Sequence, residues 1–129
     1  MTNRAHYGAV LALLVGCTAV VTASAGNLSF LADSPVAYFN PDDMELMRQN
    51  SLKVLDATGA NTKQEWSNAK TGASGWAQVR NEFSASDGAP CKRLRIVNKA
   101  RGLQSDATYT VCKYPDRGWV FNADAAPAK

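Results

Sequence analysis

Two pairs of carboxylates, three cysteines and one histidine are the residues of this chain with the most chemistry to offer. Asp42/Asp43, or Glu65 with Glu82, could serve as acid and base in hydrolysis of the glycosidase kind. His6, the one imidazole, precedes an apolar run and is lost if that run is a removable signal. No nucleophile elbow, phosphate loop or metal-ligand spacing occurs in the sequence. Catalysis, a bound metal and a cofactor are therefore not expected. Asp42/Asp43 also fit another role better, as the acidic first turn of a helix.

The elements that would position such residues start after a leader. Arg4 precedes the run from Ala9 to Val15, the charged and apolar regions of an export signal occupying residues 1–25. Two cleavage readings compete. Leu14-Val15-Gly16-Cys17 resembles a lipobox, in which Cys17 is acylated and becomes the first mature residue. Ala23-Ser24-Ala25 before Gly26 fits ordinary signal peptidase. Both export the chain, both remove His6 and Arg4, and both leave 13 basic against 11 acidic residues, a mildly basic module. Cysteine arithmetic favours the lipobox, because Cys91 and Cys112 can pair and Cys17 is left over.

In an oxidising compartment Cys91 and Cys112 should form a disulfide. The chain-entropy model values a loop of about twenty residues at roughly 3 kcal/mol. At 129 residues, 46% hydrophobic and 19% charged, the chain is long enough for one small globular domain.

Residues 26–40 read as a linker with a turn at Asp33-Ser34-Pro35. Asn40 as N-cap, Pro41 at the first helical position and Asp42/Asp43 behind them predict a helix start. Met44, Met47, Leu52 and Leu55, helped by Leu46 and Val54, predict its apolar stripe, and Thr58-Gly59 its end. Five strands follow, near Lys63–Asn68, Gly75–Phe83, Lys92–Lys99, Thr108–Lys113 and Trp119–Phe121, separated by Gly- and Pro-rich turns that include Gly102 to Asp106. The expected fold is α+β: one helix on an antiparallel meander of about five strands, stapled by the disulfide, over residues 41–122. Pairing the third and fourth strands brings Cys91 toward Cys112. Residues 123–129 are expected to be a disordered tail.

Alternation puts Ala77, Val79 and Phe83 on one face and Trp76, Gln78, Arg80 and Glu82 on the other, with Leu94 and Ile96 opposing Arg93 and Arg95. Trp76, Arg80, Arg93 and Arg95 could form a basic, aromatic patch for an anionic polymer. A solvated face with cross-strand charge pairs, Glu82 among them, accounts for the same residues. At a net charge of about +2 that second account is preferred, and nucleic acid is not expected as a partner.

The segment from Gln64 to Gly75 resembles the W-x-N-x-x-T-G-x-x-G signature of the C-terminal domain of the rickettsial 17-kilodalton surface antigen family. Gly88-Ala89-Pro90-Cys91-Lys92 is similar to that family's G-x-P-C-R turn, and Cys112 to Trp119 to its C-R-x-P-D-G-x-W ending. The resemblance covers about Asp42 to Phe121. It carries over Trp66, Asn68, Thr71, Gly72, Gly75, Pro115, Asp116, Gly118, Trp119 and the cysteine pair, all as structural positions, and no catalytic residue. It implies an outer-membrane lipoprotein. The glycine-zipper segment common in the family is missing here, and Arg117 is inserted in the final turn.

Turn chemistry explains most of these positions: Asn68 and Thr71 can bond local backbone, Gly72 and Gly118 can supply positive φ, and Trp66 and Trp119 can anchor a core. The alternative is a recognition loop using Trp66, Asn68 and Thr71. The expected function is thus a non-catalytic envelope protein with a structural or interaction role, reaching the membrane through lipid on Cys17 and an envelope protein or glycan through its surface. The alternative is a soluble periplasmic module that binds a glycan or inhibits an envelope hydrolase.

Overall fold

The computed structural model describes residues 33–59 and 61–129. The leader, both cleavage sites and Cys17 lie outside the described residues. A 3₁₀ turn at Pro35–Tyr38 leads into a helix, α1, Pro41–Asp56, followed by β1 Lys63–Ser67, β2 Ser74–Ser84, β3 Pro90–Ala100, β4 Leu103–Tyr114 and β5 Gly118–Phe121. All four strand pairs are antiparallel and the strands lie in chain order, so the sheet is a simple meander. This is the expected α+β arrangement.

The start of α1 is fixed by local chemistry. Asn40 Oδ1 accepts from the Asp43 backbone N–H at 2.8 Å, and Asp43 Oδ2 accepts from the Asn40 N–H at 3.1 Å. This reciprocal capping box satisfies donors that the first turn leaves free. The other end closes differently from expectation. Ala57, in an extended conformation, is the C-cap; Gly59, at φ 97°, lies beyond it in the following turn. Lys92 of β3 instead reaches the helix end, donating to the carbonyls of Leu55 at 2.9 Å and Ala57 at 3.1 Å. A cation there also suits the helix dipole.

The buried line of α1 is rotated from the predicted stripe. Asp43, Asn50, Val54 and Leu55 are buried and Leu46 and Met47 pack beside them, whereas Met44 is 41% exposed. Two polar residues therefore sit on the core line, where apolar periodicity could not count them. Both are satisfied, Asn50 by donating to the Gln64 carbonyl at 3.0 Å.

Val54 and Leu55 pack on Ala77, Val79, Leu94, Ile96 and Val111, with Trp119 alongside. A second cluster joins Trp66, Ala73 and Ala100 to Phe39, Leu46 and Met47. Phe39 meets Trp66 edge to face at 5.3 Å between ring centroids.

Four expectations need correction. A β-bulge between Val79 and Asn81 makes Arg80 the extra residue of β2. Past it the alternation inverts, so Phe83 leaves the side of Ala77 and Val79 and pairs with Cys91, while Glu82 moves to the helix side and pairs with Lys92. The β3–β4 connection is a two-residue hairpin, Arg101 at φ 54° and Gly102 at φ 75°, so β4 begins at Leu103 rather than Thr108. The segment read as linker is already part of the fold at Pro35, which is buried. Residues 123–129 are fixed: Pro127 bridges Ala85, the Ala128 N–H donates to the Ser84 carbonyl at 2.9 Å, and Ala125 packs over the disulfide.

Candidate functional site

The turn that joins β1 to β2 is docked on the start of α1. Its backbone closes on itself: the Asn68 N–H donates to the Ala73 carbonyl and the Gly72 N–H to the Asn68 carbonyl, both at 2.8 Å. The side chains add the longer reach. Asn68 Nδ2 donates to Asp43 Oδ1 at 2.7 Å and Thr71 Oγ1 donates to the same oxygen at 2.8 Å. Asn68 Oδ1 and Thr71 Oγ1 also accept from the Lys70 and Ala73 backbone N–H groups, the local bonds expected of them. Asp43 is fully buried. Burial pushes its carboxyl up, yet hydrogen bonds from Thr71, the Asn40 backbone and Asn68 outweigh that and hold it below the ordinary carboxylate range.

This network places the first three candidates for a recognition surface. Trp66 is 7% exposed and buried in the core, and the polar ends of Asn68 and Thr71 face Asp43. Asp43 was the unforeseen hub. The signal for it was an acid at the third helical position whose partners lay some 25 residues further on. Gly75 is explained by crowding: a Cβ there would stand 2.4 Å from the Val97 carbonyl oxygen and 2.7 Å from Trp66 Nε1. Gly72 and Gly118 do take positive φ.

The other four candidates come together on the face of the sheet turned away from α1. Register puts Lys63, Trp76, Gln78, Arg93, Arg95 and Lys99 on this side, with Asp106 on β4. Arg80 joins them from the bulge, its guanidinium at 3.5 Å from Gln78 Oε1. Trp76 has Lys63 Nζ at 4.7 Å and the Arg95 guanidinium carbon at 5.2 Å from its ring centroid, within cation–π range. Arg95 makes a forked contact with Asp106, Nε to Oδ1 at 2.8 Å, and holds that carboxyl below its usual range. Arg93 stands over the Phe83 ring at 5.7 Å. On this face the cross-strand charge pair is thus with Asp106; Glu82 makes its own cross-strand pair with Lys92 at 2.9 Å, on the helix side.

Charge divides unevenly between the two sides. The open face carries Lys63, Arg80, Arg93, Arg95 and Lys99 against Glu65 and Asp106. Helix and helix side carry Arg48, Lys53, Lys92 and Lys113 against Asp42, Asp43, Glu45, Asp56 and Glu82. The helix side has its own relief, a groove of about 510 Å³ between α1 and the β4–β5 end, lined by Met44, Met47, Leu52, Trp119 and Phe121 among others. The carboxylates weighed for acid–base work are not brought together. Glu65 sits on the open face with Lys63 at 2.9 Å, Glu82 on the opposite side with Lys92 at 2.9 Å, and Asp43 is enclosed in hydrogen bonds.

Cys91 and Cys112 are bonded directly across β3 and β4, with Cα atoms 4.0 Å apart. Ala85, Phe83, Ala89, Tyr114 and Ala125 cover them.

No curated protein and no solved structure matches the chain. A family model described as the 17 kDa outer membrane surface antigen matches residues 53–120, more than half of the chain and nearly all of the sheet. Trp66, Asn68, Thr71, Gly72, Gly75, Gly118, Trp119 and the cysteine pair of the signature all take structural roles, and the chain belongs to the 17 kDa outer membrane surface antigen family.

Proposed function

We propose that this protein is a non-catalytic interaction module of the cell envelope, held at the outer membrane by lipid on Cys17. The observation that carries the reading is how the family's residues are used. Trp66, Asn68, Thr71 and Gly75 build and brace a scaffold, and the disulfide staples its longest hairpin. The exposed surface of such a scaffold is free of these structural duties, which suits contact with an envelope component better than turnover of a substrate. The separation of Glu65 from Glu82 across the sheet supports the same view.

Intact mass of the mature protein from membrane and soluble fractions tests it. The expected product begins at Cys17, carries acyl chains, fractionates with membrane and gains two hydrogens on reduction of Cys91–Cys112. A soluble product that begins at Gly26 overturns the anchor and leaves a periplasmic binding module in its place.

A further inference from the structure

The open face of the sheet is the one large surface to which the fold commits cations without matching anions. Its five cations face two carboxylates, while the helix and its side of the sheet carry one more acid than base. The remaining charges, in turns and at the ends of the described chain, are four acids and four bases and cancel, so the basic surplus of the described chain is on this side. Among the described residues, Lys63 and Arg95 are paired with Glu65 and Asp106, and no carboxylate lies within 4 Å of Arg80, Arg93 or Lys99.

Shape narrows the partner. Side chains on one face of an antiparallel sheet stand about 6.7 Å apart along a strand and about 4.8 Å apart across strands, and strands of eleven residues run on the order of 35 Å. The surplus cations are spread over two adjacent strands, Arg80 on β2 and Arg93 and Lys99 on β3, with a recess of about 370 Å³ beside Trp76 and Lys99, whereas the apolar groove opens on the helix side. A cation array spread over an area suits a charged plane better than a polymer that would follow one channel. Trp76 and Phe83 lie in that array with cations against their rings, the pairing of aromatic and basic groups favoured at the headgroup level of a bilayer.

We infer that the open face docks on an anionic lipid surface through Arg80, Arg93 and Lys99, with Trp76 at the headgroup level. The contact is electrostatic and needs no acyl chain. It extends the envelope reading above but does not depend on Cys17 being lipidated.

Vesicle co-sedimentation of the unacylated chain from Gly26 onward tests it, since every helix and strand lies within that stretch. Vesicles of phosphatidylglycerol mixed with phosphatidylcholine should bind, vesicles of phosphatidylcholine alone should not, and added salt should abolish binding. Neutralising a cation at the surface weakens binding about fivefold, so Arg80→Gln, Arg93→Gln and Lys99→Gln together should cost on the order of a hundredfold. Replacing the same three residues so as to keep the charge, with Arg80→Lys, Arg93→Lys and Lys99→Arg, should retain it. Arg48→Gln with Lys53→Gln, on the helix side, should change nothing. Equal binding to neutral vesicles, or full binding by the triple variant, overturns the proposal. So does binding of soluble polygalacturonate without binding of vesicles, which would make the face a polyanion site. None of these results bears on the mass of the mature product, so the anchor and the face stand or fall separately.

Discussion

The same strands build two different surfaces. Toward α1 they offer Ala77, Val79, Leu94, Ile96 and Val111, and the helix covers them with Val54 and Leu55. Away from it they offer arginine, lysine, threonine and one tryptophan, and organisation comes from side chains leaning on one another: Lys63 and Arg95 on Trp76, Arg93 on Phe83. On the covered side buried polar residues also serve the fold, since Asp43 and Asn50 hydrogen-bond the turn after β1 and β1 itself. On the open side the ionic contacts are solvent-exposed, and such pairs add little stability. Apart from the disulfide and Val97, which are buried on the open side, stability and surface chemistry are thus assigned to opposite sides of a single layer, and substitutions of the exposed cations should cost little.

The largest effect is expected at Trp66. Trp66→Ala should lower unfolding free energy by about 3–5 kcal/mol in urea titration, because it empties the cluster that joins β1, Phe39 and α1. Reduction of Cys91–Cys112, read the same way, should cost about 3 kcal/mol. Asn68→Ala and Thr71→Ala each remove a hydrogen bond to the buried Asp43 carboxylate, with an expected loss of about 1.5–3 kcal/mol. At the small end, Arg80→Gln on the open face should stay within about 0.5 kcal/mol of the parent. An Arg80 variant as costly as Trp66→Ala would break the division between the two sides.

Acid sharpens the same division. The folded-state pKa of Asp43 lies below its ordinary value of 3.8, so its stabilisation is complete above that value and is lost as pH falls through the depressed one. Thermal melts should therefore show stability declining below about pH 4. Asp43→Asn should flatten part of that decline and lower stability at neutral pH.

Most elements could be read from the sequence because their causes are local. Asn40-Pro41 with Asp43 is a local cap signal, whereas the Arg101-Gly102 hairpin is longer-armed than the sequence suggests because Arg101 itself takes positive φ and strand pairing starts at Leu103. The misses share a different cause. The helix stripe was misread because Asp43 and Asn50 lie on the buried line, satisfied by groups from β1 and the turn after it. The tail reads as disordered from its own residues because its partners, Ala85 and Ser84, are some forty residues earlier. Of the recognition candidates, Trp76, Arg80, Arg93 and Arg95 share one face as alternation predicts, and Trp66 is buried as the core-anchor reading of it predicts.

The extra residue at Arg80 acts like a single-letter insertion in a two-letter reading frame. Before it, the odd positions of β2 look toward the helix; after it, the even ones do, which delivers Glu82 to Lys92 and Phe83 to the disulfide. Deleting that one residue would restore the frame and exchange the two, turning an acid toward the sulfur atoms and a phenyl ring toward the lysine that closes the helix. The two ends of β2 are in this sense written in different frames, and either end can change its pattern without forcing a change on the other.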